Sequence, residues 1–423
     1  MKNGVLCVIA ENTHLMDEQQ IIPRLFRTEY RKITAVLCKL FGIKNLQVAE
    51  DIASETFLAA IETWTFNGTP ENPTAWLYRV ARNKARNYFG RKVVFDEKIA
   101  GEIRKNSEVI QQVDIDLSEK NITDSQLQML FALCHPAISQ EAQVGLSLRI
   151  LCGFGIDEIA DAFLTSKEVI NKRLYRAREK LRAGNVRIEF PGPEEITHRL
   201  DAVLTTIYLL FSEGYYSERQ DSILRKDLCL EAMRLAQLLI ENEQTDTPAV
   251  NALLSLMCFH VSRFDARTNE EGEMILYQDQ DEVRWNRELI SRGGFYLNRA
   301  SRGSKVSKYH LEAGIAYWFT VKEDTFEKWE NILSLYNKRL MLEYSPIAAL
   351  NRTFALSKVR GKEAAIAEAR KLNLPHNHFY FVLMGELYRG VDDARAKLNF
   401  ERAFNLARTN SDKRLIKAKI ESS

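Results

Sequence analysis

Cations set at helical spacing among aromatic and amide side chains are the residues of this sequence best equipped for chemistry. That chemistry is binding rather than bond making. From Lys167 to Arg187 there are eight basic and two acidic residues, a local charge of +6. Ile170, Leu174, Ala177 and Leu181 recur at four, three and four residues, the stripe of a helix that packs inward. Lys167, Asn171, Lys172, Tyr175, Arg176 and Arg178 are left to face outward. There, amides and guanidiniums can read base edges in a major groove and cations can neutralise phosphates. Just upstream, Ile156, Ile159, Ala160 and Phe163 make a short apolar face. Leu164-Thr165-Ser166 break it, and Ser166 suits the N-cap of the next helix. Short helix, turn and basic helix together read as a helix-turn-helix. The plainer alternative is a surface helix with a solvated basic face.

A second cationic stretch is PENPTAWLYRVARNKARNYFGRK, residues 70–92. Between Glu71 and Lys92 six basic residues face one acidic residue, a charge of +5. Trp76, Val80, Ala81, Ala85 and Tyr88 or Phe89 can form a buried face, with Arg79, Arg82, Asn83, Lys84, Arg86, Asn87, Arg91 and Lys92 around it. Stacking rings, amides and cations are the groups that hold a separated nucleic-acid strand. Just before it, NLQVAEDIASETFLAAIE (residues 45–62) has four acidic residues and no basic one. Val48, Ile52, Phe57 and Ile61 can pack inward while Glu50, Asp51 and Glu55 project from another face. Such a face suits a basic protein partner; a solvated acidic face is the plainer alternative.

These elements need a scaffold, and the pattern is helical almost throughout, so the fold class is all-α. The chain has 423 residues, 45% hydrophobic and 27% charged, with a net charge of only +2. It is long enough for about three domains, and its electrostatic signals are local. The six cysteines show no CxxC pair or zinc spacing, which favours free thiols in a reducing compartment. No apolar run reaches the length of a membrane span. The seven histidines are scattered, and no GxSxG, HExxH or P-loop pattern appears. No catalysis, metal or cofactor is expected.

The organisation reads as follows. Residues 1–21 form a leader and 22–95 a first helical domain. Residues 96–125, with eight acidic and four basic residues, form a solvated linker. Residues 126–190 carry the helix-turn-helix. PGP at 191–193 is a break, and 194–423 is a helical extension. Late in the extension, Ser345–Val359 and His378–Val391 each end near a glycine, Gly361 and Gly390, 29 residues apart. An alanine-rich amphipathic helix follows each, a degenerate helical-hairpin repeat of tetratricopeptide-like character. Two clusters in the extension, Glu213 with Tyr215 and Tyr216, and Asp279, Gln280, Asp281 with Trp285, can line a ligand pocket or a docking surface. Local capping and helix packing are the simpler explanation of both.

In this order the motifs resemble bacterial sigma factors of the extracytoplasmic-function type, in the sigma-70 family. AEDIASETFLAAIETW resembles the core-polymerase-binding helix of their second region, and AWLYRVARNKARNYFGRK the segment that melts and reads the minus-ten element. IDEIADAFLTSKEVINKRLYRAREKLR resembles their fourth region, which reads the minus-thirty-five element. RLDAVLTTIYLLFSEGYYSE, DLCLEAMRLAQLL and DQDEVRWNRELI resemble the long helical extension of one subgroup. The resemblance implies that Asp51 and Glu55 face the clamp helices of the polymerase beta-prime subunit, with Phe57 anchoring behind. It implies that Asn83 and the nearby arginines face the non-template strand. Ser54 stands where the family commonly has glutamine. The implied partners are core RNA polymerase, through its beta-prime and beta subunits, and promoter DNA. No membrane and no dedicated anti-sigma factor are implied, and action is cytoplasmic. The extension is then expected to touch the sigma domains within the same chain and to regulate them. A one-component helix-turn-helix regulator with a helical sensor domain is the alternative, but it needs neither the acidic helix nor the strand-holding one. Residues 1–15 lie outside the resemblance, and Met16 is an expected start.

Overall fold

The amphipathic pattern of the first domain is realised by a long helix wrapped by two others. The structure, a computed structural model, describes residues 21–100, 115–163, 165–215, 226–267, 275, 277–407 and 409–421. For Arg27, residues 91–100, Asp161 and residues 410–411 only the backbone is described. The leader, the Met16 start, residues 101–114 of the 96–125 stretch, Leu164 and Tyr216 lie outside the described residues. Those that are described form helices and turns, with no strand among them.

Helix α1 (Ile21–Phe41) buries Tyr30, Ile33 and Leu37. Against them pack α2 (Leu46–Asn67), through Ile52, Ala53, Phe57 and Ala60, and α3 (Pro73–Ala100), through Leu77, Ala81 and Ala85. Phe57 lies edge-on to Phe26 at 5.0 Å, and Trp64 lies edge-on to Trp76 at 5.3 Å. The boundaries follow local chemistry. Asn45 donates from Nδ2 to the Phe41 carbonyl at 2.8 Å, closing the end of α1, and Asn72 Oδ1 accepts the Ala75 N–H at 2.9 Å to open α3. Ile61, expected inside, is 47% exposed because Ala60 and Trp64 occupy the inward positions of that turn.

Helices α4 (Glu119–Leu133) and α5 (Gln140–Leu151) pack on α1, and α6 (Ile156–Ala162) and α7 (Lys167–Ala183) follow. The stretch expected to be a solvated linker is anchored at its end: Ile115 and Leu117 are buried, and Arg82 Nε donates to the Ile115 carbonyl at 2.9 Å. Two apolar residues among charges sufficed to pin the chain. The contacts divide the molecule into two units, Met1–Leu209 and Leu210–Ser423. That division falls within α8 (Pro193–Tyr215), past the PGP break. The first half of α8 belongs to the sigma-like unit: Thr206 Oγ1 donates to Gln143 Oε1 at 3.0 Å, and Arg199 donates to the Phe131 carbonyl.

The second unit contains α9 (Lys226–Glu241), α10 (Pro248–Val261), α11 (Arg287–Ala300), α12 (Lys308–Trp318) and α13 (Phe326–Leu342). Two helical hairpins follow, α14 (Pro346–Arg360) with α15 (Lys362–Leu372), and α16 (His378–Tyr388) with α17 (Asp393–Leu406), before α18 (Asn410–Glu421). Gly361 and Gly390 supply the left-handed φ of 84° and 72° that these tight hairpin turns need. Ala365, Ala369, Ala396 and Ala403 are fully buried, as close helix packing requires. Burial pushes the Cys134 and Cys258 thiols up to about 12, so both stay protonated at neutral pH.

Adjacent glycines on α11 make a sharp test of this packing. A Cβ on Gly293 would lie 2.6 Å from Phe259 Cε1, whereas one on Gly294 would meet nothing within 4 Å. Gly293→Ala is expected to destabilise by about 1–3 kcal/mol through overpacking. Gly294→Ala is expected to stabilise by up to about 1 kcal/mol through helix propensity. Urea unfolding of the two variants checks both signs.

Candidate functional site

The basic helix and the acidic helix, read separately in the sequence, meet in the structure. Ser166 caps α7, accepting the Val169 N–H at 3.4 Å, and Ile170, Leu174, Ala177 and Leu181 are all buried as their spacing predicts. The turn before α7 closes through the Thr165 N–H to the Ala160 carbonyl at 2.9 Å. Lys167, Asn171, Lys172, Tyr175 and Arg176 are exposed on one side of α7. Lys167 pairs with Asp157 at 2.6 Å, an exposed contact of little energetic weight.

Arg178 is different. It turns from the exposed basic face toward α2, donating from Nη1 to Gln47 Oε1 at 3.2 Å. Its Nη2 lies 2.8 Å from Glu50 Oε2, an ion pair without hydrogen-bond alignment. Arg149 of α5 donates from Nε to Glu50 Oε1 at 3.0 Å and from Nη1 to the Phe154 carbonyl at 3.1 Å. Glu50, expected on an exposed acidic face, is therefore only 3% exposed. The reason is geometric: position 50 falls one residue short of the outward arc of α2, and a buried carboxylate there is tolerable only because two guanidiniums reach it. Burial and then the Glu50 charge push the neighbouring Cys38 thiol well up. Arg149 gave little warning in the sequence. Its one signal is that it interrupts the apolar run VGLSLRILCGF.

The remaining acidic residues of α2 do face outward. Asp51 is exposed and accepts from Gln47 Nε2 at 3.0 Å; Glu55 is exposed and pairs with Lys84 at 2.9 Å. Beside them Leu58, Ile61 and Phe66 are exposed, Phe66 at 87%, so this face is apolar as well as acidic. Phe57 is buried behind it against Phe26 and Tyr30. On α3, Arg79, Asn83 and Asn87 are exposed, while Trp76, Arg82, Lys84 and Arg86 are half-buried. Arg82 is spent on the Ile115 carbonyl and Lys84 on Glu55. Arg91 and Lys92 lie on the same helix, their side chains outside the described residues.

In the second unit the two sequence clusters separate by exposure. Asp279 and Asp281 point outward, Asp281 capping a turn by accepting the Val283 N–H at 2.9 Å. Tyr215, Gln280 and Trp285 are buried, and Glu213 is half-buried. Tyr215 packs on His260 at 4.4 Å and under Arg267 at 4.1 Å, and Trp285 stacks on Tyr277 at 6.3 Å. Arg263, Arg267, Tyr277, Lys322 and Lys328 complete these surroundings and were not singled out in the sequence. The run HVSRFDAR (residues 260–267) held the signal, with two arginines one helical turn apart.

The sigma-70 region 2 family matches residues 25–93, the three-helix body that presents α2 and α3. The extracytoplasmic-function RNA polymerase sigma-E factor of Haemophilus influenzae is 30% identical over 137 residues, 31% of this chain and 71% of that protein. The RNA polymerase sigma-H factor of Pseudomonas aeruginosa is 26% identical over 182 residues, 39% of this chain and 91% of that one. The chain belongs to the sigma-70 family of RNA polymerase sigma factors, in its extracytoplasmic-function group. Its extension matches, over residues 199–301, a family of unknown function (DUF6596). An uncharacterized protein of Rhizobium meliloti is 32% identical over 387 residues, 89% of this chain and 90% of its own length, so it shares both parts. No solved structure matches the chain. No described helix is long and apolar enough to cross a membrane.

The buried triad gives a quantitative expectation. Glu50→Ala strands two guanidiniums and should cost about 3–5 kcal/mol. Arg178→Ala combined with Glu50→Ala should show a coupling of about 1–3 kcal/mol in a double-mutant cycle. Urea midpoints of the four chains measure it, and additive losses would mean that the pair carries no load.

Proposed function

We propose that this sigma factor docks on core RNA polymerase through the Asp51–Glu55 face of α2, opens promoter DNA with α3 and reads an upstream element with α7. The observation that carries the first assignment is the exposed surface of α2, where Asp51 and Glu55 lie beside Leu58, Ile61 and Phe66. A mixed acidic and apolar stripe of this kind suits a basic helical partner. Exposed Arg79, Asn83 and Asn87 on the adjoining helix supply cations and amides for an unpaired strand. Exposed Asn171, Lys172, Tyr175 and Arg176 supply the groove-reading groups of α7. Arg178 joins them only if its ion pair with Glu50 opens. The compact arrangement is then a resting form in which one DNA-reading cation is withheld, and polymerase binding must outweigh the triad to release it. The extension biases that equilibrium in this reading, acting within the chain rather than through a separate inhibitor.

Two measurements test the scheme. The double variant Asp51→Lys with Glu55→Lys should fold and lose core-polymerase binding, because it reverses charge on an exposed face; a folded variant with unchanged affinity would refute the docking assignment. A chain ending at Leu209, which keeps the part of α8 that Thr206 and Arg199 anchor, should bind core yet initiate poorly at the native promoter. Equal run-off transcription by the truncated and full chains would remove the regulatory role of the extension.

A further inference from the structure

The extension keeps two arginines largely inside, where no carboxylate among the described residues pairs with them. Arg263 and Arg267 follow α10, one turn apart on either side of the short turn Phe264–Ala266. Arg263 is 7% exposed. Its guanidinium lies over the rings of Tyr277 and Phe319, 5.4 and 5.8 Å from their centroids, and its buried Nε has no hydrogen-bond partner. Arg267 lies over Tyr215 at 4.1 Å, and its buried Nη1 has none either. Two more buried atoms of the same cluster lack partners: Trp285 Nε1, on a residue 3% exposed, and Gln280 Oε1, on a residue 6% exposed.

The other described charges nearby are matched or face solvent. The Lys322 ammonium donates to the carbonyls of Tyr277, Gln278 and Gln280 at 3.0, 2.9 and 2.8 Å. Lys328 donates to the Tyr277 hydroxyl at 2.8 Å and to the Val321 carbonyl. Asp324 accepts from Trp329 Nε1 and, at 3.1 Å, from Lys358. Glu282 pairs with Arg287 at 3.5 Å, and Glu323 is exposed. What is left over among the described residues is donor capacity and positive charge. Contact with ring faces offsets only part of the cost of withdrawing a guanidinium from water. A trapped water could satisfy Trp285 Nε1 or Gln280 Oε1, but it neutralises neither arginine.

We propose that Arg263, Arg267 and Trp285 Nε1 form a binding site for an oxyanion, the phosphate or carboxylate group of a small molecule. An oxyanion has the lone pairs these donors lack and the charge they need, and guanidinium forks match it in shape. Gln280 Oε1 then accepts from a hydroxyl or amine on the remainder of the ligand. His260, packed against Tyr215 and held neutral by burial and by the two arginines, adds no competing proton donor of its own charge. This site stands on the second unit alone and does not depend on how the chain engages polymerase.

The test uses the full chain in a buffer free of phosphate and carboxylate, titrated separately with inorganic phosphate and with acetate, and followed by calorimetry and thermal melting. One of the two anions should bind saturably and raise the melting temperature, and which one does so identifies the class. Arg263→Gln should weaken that binding at least about tenfold. Trp285→Phe, which keeps the ring and removes one donor, should weaken it several-fold. Arg395→Gln, which removes an exposed partner of Asp392, should leave it unchanged. A wild-type chain that binds neither anion, or an Arg263→Gln chain that folds and binds as tightly as wild type, overturns the proposal. Should Arg263→Gln fail to fold, Trp285→Phe decides in its place by the same comparison.

Discussion

One buried carboxylate ties three helices of the sigma unit together. Glu50 rises from α2 into a space where Arg149 of α5 and Arg178 of α7 meet it, at 3.0 and 2.8 Å. Removing a carboxylate from water is costly, and the cost is met here only by two partners arriving from separate elements. The packing of α5 against α1, the angle at which α7 leaves the turn and the inward face of α2 must all suit this one group. The same interaction sorts the outward residues. Asp51 and Glu55, one and five positions on, remain on the surface, while Arg178 is drawn off the basic face that holds Lys172 and Arg176.

Much of this was legible in the residues. The stripe Ile170, Leu174, Ala177 and Leu181 is buried as spaced, because apolar period alone decides which side of an isolated amphipathic helix turns inward. Ser166 caps where its type predicts. The hairpins around Gly361 and Gly390 were readable because a left-handed turn residue leaves a compositional mark. What periodicity does not contain is a polar group's partner in another element. Glu50 and Asp51 are adjacent and equally acidic, and only the arrival of Arg149, 99 residues away, separates them into a buried and an exposed role. Ile115 and Leu117 were lost to view among charges for the opposite reason: two apolar residues are too few to shift a composition but enough to fix a chain on a core. The site around Arg263 was half visible, through Tyr215, Gln280 and Trp285. Arg263 and Arg267, just past the end of α10, belong to no apolar period or motif that would have marked them in the sequence beyond their spacing of one turn.

Internal charge is met in two ways. Glu50 finds two guanidiniums, and in the second unit buried Arg234 and Arg339 find Glu231 and Glu312. Around Arg263 the second unit relies instead on ring faces and carbonyls. Arg263, Arg267, Lys322 and Lys328 lie over Tyr277, Phe319, Tyr215 or Trp285, and the two lysines are bound by neutral oxygens. Burial lowers Lys328 to about 8, so its ammonium gives up its proton more readily than a surface lysine's. A cation stabilised mainly by neutral groups keeps more of its field than one in a direct ion pair, and that field extends to whatever enters.

Lys322 adds a consequence for how such a chain can change. The segment from Tyr277 to Gln280 is gripped by a single ammonium through three main-chain carbonyls. Main-chain oxygens are the same whatever residue carries them, so the grip is indifferent to the side chains along that segment. Mutation can exchange Gln278 or Asp279 without loosening the anchor, while the loop stays where its neighbours expect it. The lineage can thus explore new side chains beside Trp285 at little cost in folding, and diversity among relatives should concentrate there while Lys322 itself stays put.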